Sequence, residues 1–547
     1  MTLRLLALLA ALAPLAAGAA DPAPPVGAAS SPAAWSNGWA RGAVFYEVFV
    51  RSFADSDGDG TGDLRGLTAK LDELNDGDPA TTGDLGVDAL WLMPIFPSPS
   101  YHGYDTTDYE DINPDYGTLA DFDRLVKEAH RRGIRVILDL VVNHTSTQHP
   151  WFQDARSSAK AVHRDWYVWS QQDPGWHQPW GQDPVWHRDG SAYYYALFWD
   201  QMPDLDFRNP EVRAEIRRIA KLWLDRGVDG FRLDAARHLV EDGDGDGQCD
   251  TAGTRAAWAE FAAYVRSAKP DAVLVGELWT STRNIAPYYG DGARVVGGDG
   301  LPMAFDFPLA TATIAALRTG APEGIATTLA EVQRLYPKGA LDAPFLTNHD
   351  HIRVATQLEG HPGKLRAAAG ILLTLPGAPF VYYGEELGLV NGPGTDDPQK
   401  RTPMPWDATK GGGFTTGRPW FPFAPGREVV NVAVEKGDPR SLRSRYRDLI
   451  AVRHRSEALR EGALELLPGA GRTLAFVRRA GGQTVVVLQN VGEGAEEAGP
   501  YALPDGALRP LFADPGVGAP VTGPKGVTVK LPPHGTAIFE FARATPR

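Results

Sequence analysis

The sequence predicts an α/β protein built on a (β/α)8 barrel, with a domain inserted after strand 3 and a C-terminal antiparallel β-sandwich domain. Eight short apolar runs alternate with amphipathic segments along the chain, as in parallel sheets that helices cover on both faces. Roughly sixty extra residues separate the third run from the next helix, more than a simple loop requires. After the last helix, short strands and turns alternate, which indicates an antiparallel domain.

The predicted strands share a continuous apolar character and many β-branched or aromatic residues. They span 44–50, 87–95, 134–142, 228–235, 272–279, 303–307, 343–350 and 378–386. Helices with a repeating apolar face are predicted between them at 119–133, 210–227 and 363–375. We therefore place the barrel at 35–462, the inserted domain at 145–207 and the C-terminal domain at 463–547.

The N-terminal segment is typical of an export signal. Arg4 precedes an apolar run that ends in small residues, so residues 1–20 are predicted to be a signal peptide and 21–34 a flexible linker. We expect a secreted protein, extracellular or periplasmic, without a stable membrane anchor; a buried N-terminal helix is the alternative. Because Cys249 is the only cysteine, no internal disulfide can form.

The composition excludes one large class of partner. The 547-residue chain is 43% hydrophobic and has a formal net charge of -14 at pH 7. Nucleic-acid-binding proteins normally present a basic face, so we expect no nucleic-acid partner. The negative charge suits a neutral substrate or bound cations. Separately, we expect the protein to be a monomer.

The candidate active site follows from the carboxyl ends of the barrel strands, where (β/α)8 enzymes place their catalytic groups. These ends carry Asp139, Asn143, His144, Arg232, Asp234, His238, Glu277, Asn348, His349 and Asp350. A single Asp at a strand end is more often a helix cap. Carboxylates that converge from several strands together with Arg and His instead indicate acid–base chemistry.

The strings at those strand ends point to a family. DLVVNH (139–144), GFRLDAARH (230–238), VGELW (275–279) and FLTNHD (345–350) resemble the four signature regions of the alpha-amylase superfamily of glycoside hydrolases. MPDLDF (202–207) is similar to its fifth region, and HGYDTTDY (102–109) to its early tyrosine-containing loop. The resemblance extends from about Ala43 to Gly462 and implies an enzyme that acts on α-glucans such as starch and maltodextrin.

Retaining glycoside hydrolysis needs an ionised carboxylate that attacks the anomeric carbon and a protonated carboxyl that protonates the leaving oxygen. The resemblance implies that Asp234 is the nucleophile, Glu277 the general acid/base and Asp350 a third acid that binds sugar hydroxyls. Arg232 is expected to keep Asp234 ionised. Asp350 is expected to raise the pKa of Glu277 by like-charge repulsion.

The resemblance also implies a set of substrate-binding residues. These are Tyr104, His144, Arg232, His238, His349 and Arg353. Tyr104 would stack beneath the sugar at the cleaved bond, with a core aromatic as the alternative. Arg353 would pair with Asp105 at the floor of the pocket.

Motifs of two branches of the superfamily occur together in this chain. Arg237-His238 resembles a pair found in alpha-amylases, whereas RTPMPWD (401–407) resembles the oligo-1,6-glucosidase branch. We favour an endo-acting alpha-amylase on starch or maltodextrin. The alternatives are an exo-acting α-glucosidase or oligo-1,6-glucosidase, and a transglycosylase. A non-catalytic member is disfavoured because all three carboxylates are present.

Two nine-residue segments, DSDGDGTGD (55–63) and DGDGDGQCD (242–250), predict calcium loops. Each offers oxygen ligands at alternate positions and a Gly at position six, as at the start of an EF-hand loop. The predicted ligands are Asp55, Asp57, Asp59, Thr61 and Asp63 in the first loop, and Asp242, Asp244, Asp246, Gln248 and Asp250 in the second. Neither is an EF-hand, because position twelve is Gly66 or Gly253. An acidic surface turn is the alternative for each.

A third calcium site is implied by the resemblance alone. In alpha-amylases such an ion joins the barrel to the inserted domain. The corresponding positions here are Asn143, Asp206 and the backbone carbonyl of His238.

The inserted segment is rich in aromatic residues. They are Trp166, Trp169, Trp176, Trp180, Trp186, Tyr193, Tyr194, Tyr195 and Trp199. Exposed rings could stack on glucose units, but we expect most of them to pack the core of the inserted domain.

Overall fold

The computed structural model describes residues 34–469, 471–503 and 507–542. The predicted signal peptide and all but the last residue of the predicted linker lie outside these ranges. Within them, each helix lacks the length or the apolar character needed to cross a membrane.

Eight parallel strands form the barrel. The strands of the barrel and of the inserted domain are, in chain order, β1 Phe45–Val48, β2 Ala89–Leu92, β3 Arg135–Leu140, β4 Trp169–Ser170, β5 Trp186–Asp189, β6 Ala192–Tyr195, β7 Gly230–Leu233, β8 Val273–Gly276, β9 Met303–Phe305, β10 Leu341–Ala343 and β11 Phe380–Tyr382. The barrel strands are hydrogen-bonded in the order β10-β9-β8-β7-β3-β2-β1-β11. A parallel bridge between Phe345 and Phe380 brings the two ends of this order together. The predicted (β/α)8 barrel is therefore confirmed.

The helices alternate with the barrel strands along the chain. They are α1 Leu64–Ala69, α2 Leu71–Leu74, α3 Leu119–Arg131, α4 Pro150–Ser157, α5 Pro210–Asp225, α6 Ala252–Ala268, α7 Thr282–Ile285, α8 Phe307–Thr319, α9 Glu323–Leu335, α10 Val354–Gln357, α11 Pro362–Leu372, α12 Val432–Lys436, α13 Leu442–Arg455 and α14 Glu457–Glu461. Helix α3 shows why such segments are helical. Thr118 and Asp121 form a capping box at its start, and Phe122, Leu125 and Ala129 form its buried face.

The seventh barrel strand lies earlier than the sequence predicts. The run 343–350 predicts a strand, but β10 spans Leu341–Ala343 and most of the residues that follow form a loop. Pro344 has no backbone N–H to donate to a neighbouring strand, so the ladder ends before it. The loop beyond it carries His349 and Asp350 away from the end of the strand.

The inserted domain contains helix α4 and a three-stranded antiparallel sheet in the order β4-β6-β5. Val185, Trp186, Tyr195 and Leu197 form the buried centre of this domain. Of the nine aromatic residues named in this segment, all except Trp180 and Trp199 belong to core clusters or pack against them. The expected packing role thus holds for most of these rings but not for Trp180 and Trp199.

The C-terminal domain is an antiparallel sandwich. Its strands are β12 Ala463–Leu466, β13 Thr473–Ala480, β14 Gln483–Asn490, β15 Glu496–Tyr501, β16 Ala507–Ala513, β17 Val521–Gly523, β18 Gly526–Leu531 and β19 Thr536–Ala542. They form a five-stranded sheet, β12-β13-β14-β19-β16, and a three-stranded sheet, β15-β18-β17. Val477 and Phe539 of the first sheet share one buried cluster with Val529 and Leu531 of the second. The predicted sandwich is therefore confirmed.

A buried ion pair joins the barrel region to the sandwich. Arg445 of α13 donates to the two carboxylate oxygens of Asp514 at 2.5 and 3.1 Å, and to Thr536 Oγ1 at 2.6 Å. Only 1% of the Arg445 side chain and 9% of the Asp514 side chain are exposed. Arg366 Nη2 also donates to Asp514 Oδ1, at 3.2 Å, from a side chain that is 30% exposed, so Asp514 binds one buried and one partly exposed arginine.

Candidate active site

Arg232 connects three carboxylates at the carboxyl ends of strands β3, β7 and β8. Its Nη1 donates to Asp234 Oδ1 at 2.5 Å and to Asp139 Oδ1 at 2.9 Å, and its Nη2 lies 2.7 Å from Glu277 Oε1. Close approach of β7 to β8 requires Gly230, because a Cβ there would lie 2.0 Å from the Val273 carbonyl oxygen. One buried guanidinium therefore holds two carboxylates, Asp234 and Glu277, beside each other.

Glu277 is positioned and poised to carry a proton. Its Oε2 accepts a hydrogen bond from the Ala235 backbone N–H at 2.8 Å. Burial raises the pKa of the Glu277 carboxyl to about 7. The Arg232 guanidinium opposes this rise, whereas the charges of Asp234 and Asp350 add to it. The expected repulsion by Asp350 is thus present but is smaller than the effect of burial.

Asp350 is held in its ionised form. His349 Nε2 lies 3.0 Å from Asp350 Oδ2, and Arg401 Nη2 donates to Asp350 Oδ1 at 3.0 Å. Burial alone would raise the pKa of Asp350, but the charges of His349 and Arg401 hold it well below its usual range. Burial alone would lower the pKa of His349, but Asp350 and Glu47 raise it to about 9. His349 is therefore a cation at neutral pH.

Tyr104 lies beside the carboxylates and against His349. Its hydroxyl is 3.0 Å from Asp139 Oδ2 and 2.7 Å from His349 Nε2, and its ring stacks on the His349 ring with centroids 5.5 Å apart. His144 Nε2 is 3.1 Å from the Tyr104 carbonyl oxygen. Tyr104 packs against the core and also lines an open cavity.

The cavity above these groups has a volume of about 660 Å³. Among the residues expected at the site, it is lined by Tyr104, His144, Asp234, His238, Glu277 and Asp350. Arg232 and His349 are buried and bind the residues of this lining. Arg232 contacts Asp234 and Glu277, and His349 contacts Asp350 and Tyr104. The wall also contains residues outside the predicted site set, namely His102, Trp180, Phe198, Met202, Ala235, Arg237, Trp279, Asp397 and Arg401. A signal for Arg401 was available, because it opens the string RTPMPWD.

Arg353 lies elsewhere than expected. Its Nε donates to the Lys400 carbonyl oxygen at 2.9 Å and its Nη1 to that of Tyr383 at 2.8 Å, and it is not part of the cavity wall. Asp105 instead accepts a hydrogen bond from Ser98 Oγ at 2.5 Å. Since both partners are bound by other groups, the expected Asp105–Arg353 pair does not form. Of Arg353 and Arg401, it is Arg401 that lines the cavity.

The first acidic loop gathers carboxylates. Oxygen atoms of Asp55, Asp57 and Asp63 lie within 4.8 Å of one another. Asp55 also accepts backbone N–H groups of the loop itself, which fold the chain around its carboxylate. Asp59 and Thr61 belong to the same turn, where Asp59 Oδ1 accepts the Thr61 N–H at 2.7 Å. Oxygen donors grouped in this way fit a calcium ion.

The second acidic loop does not gather its carboxylates. In the part of the chain that the structure describes, Asp242, Asp244, Asp246 and Asp250 do not form a cluster of ligand atoms. Asp250 is bound by Arg237 at 2.6 Å, and Asp244 caps the short 3-10 helix at Gly245–Gln248. The Gln248 carbonyl oxygen, a predicted ligand, is instead 2.9 Å from His238 Nδ1. The same sequence pattern thus folds into a different backbone, in which the predicted ligand oxygens do not converge.

The third predicted ion site requires one change of residue. Asn143 Nδ2 donates to Asp204 Oδ2 at 2.7 Å, whereas Asp206 accepts the Arg208 N–H at 2.9 Å. The Asp206 N–H donates to the Trp166 carbonyl oxygen, so Asp206 is bound within the inserted domain. Asn143 Oδ1 is buried and has no hydrogen-bond partner among the described residues. This orphaned oxygen beside the buried Asp204 carboxylate fits a cation, with Asp204 in place of Asp206.

The fold and site define a barrel enzyme whose paired carboxylates suit glycoside hydrolysis. Comparison with known proteins identifies the family within this class of enzymes. Residues 47–462 match the family model "Alpha amylase, catalytic domain". The chain therefore belongs to the alpha-amylase family of glycoside hydrolases.

Relatives of this chain differ in activity. "Alpha-amylase 3" of Dictyoglomus thermophilum is 42% identical over 83% of this chain and 85% of its own length. A "Probable alpha-glucosidase" of Rhizobium meliloti is 34% identical over 86% of this chain and 92% of its own. The crystal structure of an alpha-amylase from H.orenii aligns with a TM-score of 0.83 at 40% identity, and the alignment covers 92% of this chain and all of that one.

Proposed function

We propose that the protein is a secreted, retaining hydrolase of α-1,4-glucosidic bonds in starch and maltodextrins, and that it acts as a monomer. The observation that carries this proposal is the Arg232-centred pair of Asp234 and Glu277, in which Glu277 has a pKa of about 7. A carboxyl group whose pKa is raised in this way can hold the proton that a general acid must deliver. The similarity to alpha-amylases supports α-glucan as the substrate.

The first chemical step forms a covalent intermediate. A carboxylate oxygen of Asp234 attacks the anomeric carbon while the glycosidic C–O bond breaks. The Glu277 proton passes to the departing oxygen, and the leaving sugar chain is released as an alcohol. Arg232, bound to both groups, keeps them in register during this exchange.

The second step restores the enzyme. Glu277, now a carboxylate, takes a proton from water, and the water oxygen attacks the anomeric carbon and displaces Asp234. Two inversions at one carbon retain its configuration. The ionised Asp350, supported by His349 and Arg401, would accept hydrogen bonds from sugar hydroxyls in both steps.

Calcium would stabilise the protein without a role in bond cleavage. Asp55, Asp57 and Asp63, with Asp59 and the Thr61 carbonyl in the same loop, would hold one ion. Asn143 and Asp204 would hold another between the barrel and the inserted domain. Binding to the folded state alone stabilises that state, which suits an exported chain without disulfides.

A time course on soluble starch tests this proposal. Iodine colour, reducing ends and released sugars are followed together in the presence of calcium. We expect the colour to collapse well before the reducing ends reach their final yield, because an endo-acting enzyme cuts inside chains. Glucose that accumulates while the colour persists would favour the exo-acting α-glucosidase. New glucosides formed without net reducing ends would favour the transglycosylase.

Secretion is tested separately. The mature protein is isolated from the medium or periplasm of its native host, and its N-terminus is sequenced. Cleavage near residue 20 is expected, and an intact Met1 would contradict the signal peptide.

A further inference from the structure

Two histidines and a glutamate from distant parts of the chain meet where the barrel region joins the sandwich. His361 precedes helix α11, Glu493 follows strand β14, and His534 lies in the turn between β18 and β19. One potential metal-ligand atom from each of these residues lies within 4.8 Å of the other two. The three residues do not line the active-site cavity, and the mechanism proposed above does not use them. Their convergence therefore needs a separate explanation.

The two imidazole rings approach one carboxylate oxygen. Glu493 Oε2 lies 3.2 Å from His534 Nε2 and 3.9 Å from His361 Nε2. The rings meet edge to face, with their centroids 5.1 Å apart. Ligand atoms around a tetrahedral zinc ion are about 3.4 Å apart. A small rotation of the exposed His361 side chain would thus bring all three ligand atoms to one ion.

The remaining polar atoms of His361 and Glu493 are bound elsewhere. His361 Nδ1 accepts the Lys364 backbone N–H at 3.3 Å, which leaves its Nε2 available. Glu493 Oε1 lies 2.9 Å from Lys364 Nζ, which leaves its Oε2 available. Hydrogen bonds of this kind orient the ligands of metal ions. Lys364 therefore directs both side chains towards the same point.

His534 is fixed in a position that costs energy. Its φ is +54°, in the left-handed region that residues other than glycine rarely adopt. Its N–H donates to the Gly492 carbonyl oxygen at 3.2 Å, and its carbonyl oxygen accepts Gln489 Nε2 at 3.2 Å. The side chain is only 4% exposed, and its Nδ1 is buried with no hydrogen-bond partner among the described residues. An ion pair with the exposed Glu493 would return little stability for this strain and burial.

The chemistry of the three ligands selects the ion. Two imidazole nitrogens and one carboxylate suit zinc, and a set of three protein ligands leaves a fourth position for water. Calcium prefers oxygen ligands alone. Burial lowers the pKa of His534, so its ring is neutral at pH 7, and the neutral ring is the form that binds metal ions.

We propose that His361, Glu493 and His534 form a zinc site that fastens the C-terminal domain to the barrel. One ligand comes from the barrel region and two come from loops of the sandwich. Because the ligands meet only when the two domains are docked, zinc stabilises the docked and folded state. The site does not depend on the proposed glycoside hydrolysis.

Titration of zinc chloride into the calcium-saturated full chain tests this site. By calorimetry we expect one zinc ion bound here, and at one hundred times its Kd we expect Tm to rise by about 3 °C. His361→Asn and His534→Asn should each weaken zinc binding by at least about tenfold. Asparagine caps helices and tolerates a positive φ, so both variants should fold. Glu493→Gln keeps the shape of the side chain without its charge and should have the same effect.

His163→Asn is the matched control. It removes another histidine–carboxylate pair, His163 with Asp154 at 2.8 Å, which lies outside the three-ligand cluster. Zinc binding and the zinc-dependent rise in Tm should be unchanged in this variant. In the absence of zinc, the Tm of each ligand variant should stay close to that of the wild type.

Three results would overturn the proposal. They are a wild-type protein that binds no zinc, zinc binding that survives in the ligand variants, and an equal loss in His163→Asn. A rise in Tm with magnesium chloride that matches the rise with zinc, and that disappears in the same variants, would contradict the choice of ion.

Discussion

At the scale of single residues, Glu277 decides the chemistry. Its burial and its acidic neighbours raise its pKa to about 7, while Arg232 keeps it beside Asp234. A general acid works best when its pKa is near the working pH, because it then both holds and releases a proton. The elevated pKa is thus a functional property that follows from where β7 and β8 end.

The pH profile follows from this pKa. Glu277 must be protonated for the first step, so kcat/KM for maltoheptaose is expected to fall as the pH rises through about 7. In Glu277→Gln we expect kcat/KM to fall by about a thousandfold. That variant should still give a burst of fluoride from α-maltosyl fluoride, because fluoride leaves without a proton. An unchanged alkaline limb in Glu277→Gln would contradict this assignment.

Arg401 provides a second test at this scale. Arg401→Met removes a positive charge that lies 3.0 Å from Asp350, so the pKa of Asp350 rises. As the pH is lowered, Asp350 would then become protonated at a higher pH than in the wild type. The acid limb of the kcat/KM profile should therefore shift to higher pH. We expect kcat/KM at neutral pH to fall by about a hundredfold, which corresponds to a loss of about 2.7 kcal/mol of transition-state stabilisation. Arg440→Met is the control, since the Arg440 side chain is 90% exposed.

At the scale of elements, the two acidic loops show that one sequence pattern can fold in two ways. In the first loop the chain wraps around Asp55, and Asp63 caps helix α1 by accepting the Gly66 N–H. In the second loop, the Asp250 carboxylate accepts a hydrogen bond from Arg237 and not from the backbone N–H groups of the loop. The two loops differ because their acidic residues contact different side chains, Thr415 in the first loop and Arg237 in the second. A nine-residue sequence pattern does not reveal these contacts.

Calcium titration distinguishes the two loops. Asp57→Asn combined with Asp59→Asn is expected to lower the number of calcium ions bound per chain by one, as measured by calorimetry. The matched pair, Asp242→Asn with Asp246→Asn, should leave that number unchanged. At a calcium concentration one hundred times its Kd, loss of one site should lower the free energy of unfolding by about 2.7 kcal/mol. Equal effects in the two double variants would contradict the structural difference.

The same contrast explains how far the sequence predicts the site. The barrel followed from the alternation of apolar runs with helices, and the sandwich from short strands and turns, which are local signals. Asp234 and Glu277 lie directly after β7 and β8, where the predicted strands end, whereas Asp350 lies in the loop beyond β10. Arg401 lies 51 residues after Asp350 in sequence but donates to its carboxylate, and this contact depends on the folding of a long loop. Pro344 is a local signal of the opposite kind. The apolar run at 343–350 predicts a strand, but the strand ends at Ala343 because Pro344 has no backbone N–H.

At the scale of the whole molecule, the sandwich is attached to the barrel through buried charge. Arg445 and Asp514 meet with almost no exposure to water. Arg478 of β13 likewise donates to the Thr374 carbonyl oxygen at 2.7 Å, across the same junction. Such contacts make the C-terminal domain a structural part of the enzyme.

The junction can be tested by unfolding. Arg445→Met removes the hydrogen bonds to Asp514 and Thr536 and leaves the buried Asp514 carboxylate with the partly exposed Arg366 as its charged partner, so we expect the free energy of unfolding in urea to fall by about 2 kcal/mol. Arg509→Met removes an ion pair with Glu540 in the same domain, where the Arg509 side chain is 68% exposed. That control should lose less than about 1 kcal/mol. Losses of similar size in the two variants would show that the buried junction has no special weight.

The central claim is that Asp234 forms a covalent bond to the sugar, and trapping of that intermediate tests it most directly. The enzyme is incubated with 5-fluoro-α-glucosyl fluoride, whose intermediate hydrolyses slowly, and is then digested and analysed by mass spectrometry. We expect one fluoroglucosyl group per chain, attached to Asp234 in the peptide that contains GFRLDAARH. A label on another carboxylate, or no adduct together with a product of inverted configuration, would contradict the mechanism.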